Sequence, residues 1–292
     1  MKKFLALTMA MAMVLGLAAC GNSSSGSSAS TGGSSASQSD ASTGDESTGG
    51  GAVDLSDALV EPGKLIMSTN AAFPPYEMVA DGEGVYQNLE GIDIEIAVAI
   101  ADKLDLELVI DDMDFDAALM AVQNNAADVM LAGLSYREDR DEVVDFTDSY
   151  ATGVQVVIVP EDSDIKTIDD LQGKLIGCQE STTGYIYCSD TPENGGYGEE
   201  NVTAFPNGAN AVQALLGGKV DAVVIDSQPA QEFVAQNAGK LKILSTEFVS
   251  EDYAIGVSKD NTALRDAVNN ALKELIDDGT VQAILDQYIK AE

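Results

Sequence analysis

Along the chain from residue 63, apolar positions switch between strand spacing and helix spacing. Gly63-Lys-Leu-Ile-Met-Ser-Thr69 follows a Pro-Gly turn and reads as a strand. It runs into Asn70-Ala-Ala-Phe73-Pro74-Pro75-Tyr76-Glu77. Two consecutive prolines stop a strand there and predict a rigid loop. Gly91 to Leu104 carries apolar residues at helical spacing, with Asp93 near its start, where a carboxylate favours the helix dipole. Leu106 to Ile110 reads as a short strand, and Phe115-Asp116 opens a second helix, Ala117 to Asn124. An apolar run too short for a helix then begins at Asp128, reaches Gly133, breaks at Ser135 and arrives at Arg140.

A second pass of the same kind starts at Gly173-Lys-Leu-Ile176, which repeats the tetrapeptide Gly63-Lys-Leu-Ile66. Residues 121–133 and 214–226 also echo each other: a helix ends in a turn, an Asp follows (Asp128, Asp221), and an apolar strand leads to a polar loop. Two echoes in one order predict two lobes of similar βα build, each with a mostly parallel sheet and helices on both faces. Two further helices are expected at Thr262 to Asp277 and Thr280 to Ile289, split by Asp278-Gly279.

In such sheets ligands bind beyond the C-terminal ends of the strands. The candidate polar groups lie at those ends: Asn70 with Phe73, Gly133 to Arg140, Glu180 to Gly184, and Asp226. Gly133, Ser135 and Arg140 offer a free N–H, a hydroxyl and a guanidinium fork, which together suit a carboxylate. Glu180-Ser181-Thr182-Thr183-Gly184 follows the strand Lys174 to Gln179; hydroxyl residues at such a strand-to-helix junction serve as a helix cap alone or, with the free N–H groups there, as an anion site. Asp226 closes the strand from Ala222 to Ile225 and suits an ammonium group.

Length and composition narrow the reading. A chain of 292 residues allows one large domain or two of ordinary size. There are 49 acidic residues against 15 basic ones, a net of −34. Nucleic acid and anionic lipid surfaces repel such a chain, so neither is an expected partner. The sequence has no histidine, which removes the commonest general base and metal ligand. No metal and no cofactor are called for.

The N-terminus reads as a targeting signal. Lys2-Lys3 precedes the apolar run Phe4 to Ala19, and Leu17-Ala-Ala-Cys20 resembles a bacterial lipobox. The expectation is a signal peptide over 1–19, a lipidated (palmitate-bearing) Cys20 as membrane anchor, and a flexible Ser/Gly linker over 20–52. The remaining thiols, Cys178 and Cys188, could form a disulfide or sit as two separate small apolar side chains.

Taken in order, these segments resemble the extracellular solute-binding proteins of family 3, the amino-acid receptors of bacterial ABC importers. The resemblance rests on Asn70-Ala-Ala-Phe-Pro-Pro-Tyr-Glu, Phe115-Asp, Ala132-Gly-Leu-Ser-Tyr-Arg-Glu-Asp-Arg140, Asp145-Phe-Thr-Asp-Ser-Tyr150, Ser181-Thr-Thr-Gly184 and Val220-Asp-Ala-Val-Val-Ile-Asp226. It implies an α/β, two-lobed, periplasmic-binding-protein-like (type II) fold with a hinge of two crossing strands and the ligand cleft between lobes. Lobe 1 would be 53–151 plus 250–292, and lobe 2 would be 152–249. The resemblance further implies that Phe73 and Phe115 flank the ligand's side chain. Arg140, the N–H and hydroxyl of Ser135, Gly133 and Thr183 would hold an α-carboxylate, and Asp226 an α-ammonium. Asn70 stands where many members carry Asp, and Ala132 where some carry Ser. The expected function is capture of a polar or basic free amino acid, as a monomer on the extracytoplasmic face of the membrane, for delivery to an ABC permease. Two alternatives are a prephenate/arogenate dehydratase-like enzyme on the same fold and a sensory surface lipoprotein.

Overall fold

In the computed structural model, residues 54–289 are described. The expectations on the signal peptide, Cys20 and the linker over 20–52 fall outside the described residues. The chain builds β1 (Lys64–Thr69), β2 (Ala72–Phe73), β3 (Glu77–Val79), β4 (Leu89–Glu90), α1 (Ile92–Leu104), β5 (Glu107–Asp112), α2 (Phe115–Gln123), β6 (Val129–Met130) and α3 (Glu138–Asp141). There follow β7 (Val144–Pro160), β8 (Ile176–Gln179), α4 (Thr183–Ser189), β9 (Val202–Phe205), α5 (Gly208–Leu216), β10 (Ala222–Asp226) and α6 (Ser227–Gln236). The chain continues through β11 (Leu241–Ile243), β12 (Val249–Ser258), α7 (Thr262–Asp277) and α8 (Thr280–Tyr288).

The main sheet runs β5-β1-β6-β12-β7-β10-β8-β9, with β11 on β7. Its two ends are parallel blocks: β5-β1-β6 on one side and β10-β8-β9 on the other. The two separate sheets read from the sequence are in fact joined. The join is antiparallel and consists of β7 and β12. β7 has 17 residues, roughly three times an ordinary strand, so one strand serves both blocks. Its first residues pair with the end of β12 beside β6, and its last residues pair with β10 and β11. Register shifts interrupt the β7–β12 ladder on either side of Ala254, near its middle. The result is two lobes with two strands crossing between them.

The echo in the sequence has a physical counterpart. Asp128 accepts the Ile66 N–H on one carboxylate oxygen (2.7 Å), and its own N–H donates to the Ile66 carbonyl. In the other lobe Asp221 accepts the Leu175 N–H at 2.8 Å and donates to the Leu175 carbonyl. Each Asp thus clasps the first strand of its own lobe, with the register offset by one residue. Helices seal the sheet with apolar stripes. In α7 the buried positions are Leu264, Ala267, Val268, Ala271, Leu272 and Leu275, at helical spacing, and the Asn261 side chain caps the helix by accepting the Leu264 N–H.

Asp93 departs from its sequence reading. It lies in the first turn of α1 but is fully buried, and it accepts the Gly133 N–H and the Tyr150 hydroxyl, both at 2.8 Å. It braces the cleft as well as the helix. Arg140 sits in the short helix α3, not in a loop. Cys178 and Cys188 are buried in one small apolar cluster of the second lobe and are unbridged. No helix among the described residues is long and apolar enough to cross a membrane.

Candidate functional site

The strand ends of both lobes meet around a tight cavity of about 20 Å3, room for little more than a water. The first lobe supplies Asn70 after β1, Phe73 from β2, Glu77 from β3, Phe115 from α2, the segment Ala132, Gly133 and Ser135 after β6, and Arg140. The second lobe supplies Gln179 at the end of β8, Thr182 and Thr183 at the start of α4, and Asp226 at the end of β10. All eight residues singled out in the sequence (Asn70, Phe73, Phe115, Gly133, Ser135, Arg140, Thr183, Asp226) line this one cavity. Of the four other lining residues, the sequence reads Thr182 with Thr183 as part of a helix start and Ala132 as a departure from the family pattern, and gives Glu77 and Gln179 no role.

Arg140 is almost fully buried, and no carboxylate lies within 4.0 Å of it among the described residues. One terminal nitrogen donates to the Ser135 carbonyl (3.0 Å) and the other to the Ser181 carbonyl of the opposite lobe (2.9 Å). Its guanidinium carbon stands 5.5 Å from the centre of the Phe115 ring, a cation–π contact. Burial, with the neighbouring Arg137, pulls the guanidinium down to about 10. A guanidinium has five N–H donors, so two carbonyls leave several free.

Further contacts tie the lobes or fix the lining. Gln179 donates to the Asn70 carbonyl oxygen at 3.0 Å, and Asn70 donates to the Met113 carbonyl at 2.8 Å. Gly133 adopts φ +52°, and a Cβ there would lie 2.7 Å from the Phe73 ring, so glycine meets both a backbone and a space requirement. The Gly133 N–H is committed to Asp93, and the Ser135 and Thr183 hydroxyls both donate to Glu251 (2.9 and 2.8 Å). Of the donors that the resemblance gave to a ligand carboxylate, these three are engaged by the protein itself.

The acidic groups are more numerous than the sequence suggested. Asp226 is buried, accepts the Tyr253 hydroxyl, and accepts Gln155 Nε2 at 2.8 Å. Burial pushes its carboxyl up to about 7. Asp93 is likewise pushed up by burial, to about 6. Glu77 is fully buried on β3; no hydrogen-bond donor among the described residues reaches its carboxylate oxygens, and its nearest polar neighbour is the Asp93 carboxyl, within hydrogen-bonding reach when one of the two is protonated. Burial first, and then the adjacent Asp93, hold its carboxyl well above the usual carboxylate range. A buried carboxylate without a partner is costly, so such a group is protonated or awaits a cation. Glu77 was visible in the sequence only as the end of the Pro-Pro-Tyr-Glu motif. What buries it is the pairing of β3 between β2 and β4, which local pattern does not reveal.

Two lobes, a hinge of crossing strands, and a cavity at their strand ends lined by a buried arginine and buried acids define a solute-binding protein. The chain matches the bacterial extracellular solute-binding proteins, family 3, over residues 65–291, and it belongs to that family. The arginine-binding extracellular protein ArtP of Bacillus subtilis (strain 168) is 27% identical over 296 residues, with 100% of both chains covered. An ancestral arginine-binding protein, solved bound to arginine, is 36% identical with a TM-score of 0.71, covering 78% of this chain and 98% of that one. The arginine-, lysine-, histidine-binding protein ArtJ of Geobacillus stearothermophilus is 28% identical with a TM-score of 0.72, covering 78% and 96%. The chain is an extracytoplasmic amino-acid-binding component of an ABC importer and not an enzyme. The dehydratase alternative finds no support among these relatives, which are binding proteins.

Proposed function

We propose that the cavity takes a free amino acid with a cationic side chain, arginine first among them. The carrying observation is Glu77, an acid buried in the lining beside a second buried acid, Asp93, with no hydrogen-bond donor or cation among the described residues reaching its oxygens. An amino acid brings one carboxylate and one ammonium. Arg140 answers the first through its free N–H donors, and Asp226 answers the second. That leaves Glu77 as an uncompensated acid, and a guanidinium or ammonium on the side chain would pair with it. Asn70 carries no charge where many family members have Asp, and its carbonyl oxygen is already taken by Gln179. The side-chain cation therefore falls to Glu77. Phe73 and Phe115 would flank the ligand's aliphatic stem. Relatives named as binding arginine, lysine and histidine support the same ligand class.

The lobes of this reading are residues 53–151 plus 250–292 and residues 152–249, hinged at β7 and β12. Cys20 would be the lipidated anchor after removal of residues 1–19. A linker of some 30 residues would hold the domain roughly 30 Å from the membrane, within reach of the permease. The protein would work there as a monomer. A thermal-shift screen against the common amino acids tests the ligand class. A ligand at ~100 times its Kd stabilises by about 2.7 kcal/mol. Arginine, lysine or histidine should give the largest shift. A larger shift with a neutral or acidic amino acid would overturn the cationic assignment.

A further inference from the structure

Cys178 lies on β8 and Cys188 in α4, and both are wholly buried in the small apolar cluster of the second lobe. The geometry of α4 brings them together. The Cys178 thiol donates to the Gly184 carbonyl, in the first turn of α4, at 3.6 Å. Cys188 stands four residues after Gly184 and so lies on the same face of the helix. A helical side chain leans back over the turn before its own, which carries the Cys188 thiol toward Gly184. The two sulfurs share one gap between β8 and α4, within hydrogen-bonding reach of each other. Both are thiols in this structure, and neither lines the cavity. The family is extracellular, and outside the cytoplasm thiol pairs oxidise and stay oxidised.

We propose that Cys178 and Cys188 are a modification site, joined in the exported protein by a disulfide that staples α4 to β8. The step is exchange with an external disulfide, from a small molecule or an oxidoreductase. One cysteine thiolate attacks that disulfide, forms a mixed disulfide and releases one thiolate. The second cysteine, on losing its proton, attacks the cysteine sulfur of the mixed disulfide and releases the other. The cysteines lose two electrons, and the oxidant leaves as two thiols carrying the two protons. Burial pushes the Cys178 thiol up and makes it inert once the lobe has formed, so the exchange belongs to folding, before α4 packs down. The closed loop, 178–188, contains Ser181, whose carbonyl holds Arg140 from across the cleft at 2.9 Å, and Thr182 and Thr183 of the cavity wall. The bridge anchors that wall whatever solute the cavity takes.

The test uses the full chain exported by a bacterial host with an oxidising extracytoplasmic space, denatured with a thiol-alkylating reagent present. No Lys or Arg lies between Lys174 and Lys219, so one tryptic peptide, 175–219, carries both cysteines. Its mass should be two hydrogens short of the dithiol form, and it should take up alkyl groups only after reduction. A peptide that carries two alkyl groups without reduction, or that is bridged to a second chain or to a small thiol, would overturn the proposal. Refolding the reduced chain with and without oxidised glutathione gives both states for thermal melting. The oxidised parent should melt about 5 °C or more above the dithiol form. A variant with both Cys178→Ala and Cys188→Ala should melt at one temperature with and without the oxidant. Equal melting temperatures for the two parent states, or a difference that survives in the double variant, would overturn the staple.

Discussion

At the residue scale the site turns on Arg140. Its two carbonyl partners and the Phe115 ring hold the guanidinium in place without neutralising it. Truncating one member of a buried charge pair costs about 2–5 kcal/mol, because the other charge is left unpaired. Arg140→Ala should therefore weaken arginine binding by roughly 30-fold or more at about 1.4 kcal/mol per tenfold. Arg140→Lys should recover only part, since a point charge cannot form the fork. Arg137 is held by Asp139 at 2.8 Å and stacks over Tyr187 of the other lobe, so Arg137→Ala should cost less than Arg140→Ala. Titration calorimetry decides: an Arg140→Ala affinity equal to the parent's, or a larger loss from Arg137→Ala, would remove the clamp. Arg140 was legible in the sequence because two of the chain's three arginines follow a glycine and a serine at a strand end, and Arg140 falls where the family motif carries its arginine. Glu77, Gln155 and Glu251 were not, because their importance comes from burial by segments far away in the chain.

At the element scale the hinge strands carry the cleft. β7 and β12 cross between the lobes, and residues on them stand behind both sides of the cavity: Gln155 on one strand, Glu251 and Tyr253 on the other. Gly153 of β7 lies against the Tyr253 ring, and a Cβ there would fall within the ring's own space. Gly153→Ala should push Tyr253 away from Asp226 and destabilise the fold by about 1–3 kcal/mol, as overpacked sites do. Urea unfolding measures this, and unchanged stability would mean that the ring has room to move. The helices and the first strand of each lobe could be read from local spacing, and α7 and β1 fall almost where the pattern puts them. The long β7 could not be read that way. Thr147, Asp148, Ser149, Thr152 and Gly153 interrupt its apolar pattern, and its length is set by pairing with β12, about a hundred residues later in the chain.

At the scale of the whole molecule the charge is far from balanced, and the cleft concentrates acids that are protonated more readily than usual. Asp226 is raised from an ordinary 3.8 to about 7 and Asp93 from 3.8 to about 6, both by burial. Glu77 is raised well above its ordinary value for the same reason. Such groups bind protons more tightly in the folded chain. Their contribution to stability is complete below the ordinary value near 3.8 and is lost as pH rises through the raised values. The ligand's α-ammonium at Asp226 and its side-chain cation at Glu77 favour the ionised forms. Binding should therefore release protons near pH 6, and affinity should rise as pH increases toward about 7. Calorimetry in buffers of different ionisation enthalpy reads the proton count; proton uptake on binding would contradict the sign.

The most direct test of the account concerns Glu77 and the charge of the ligand's side chain. Arginine and glutamine share the same α-carboxylate and α-ammonium, and differ in whether the side chain ends in a cation or a neutral amide. Parent and Glu77→Gln should be titrated with both by calorimetry at pH 7.5. The account predicts that the parent prefers arginine and that Glu77→Gln loses roughly tenfold or more toward arginine, with glutamine weakened much less or improved. A parent that binds glutamine at least as tightly as arginine, or a Glu77→Gln variant that keeps the arginine affinity, would contradict it.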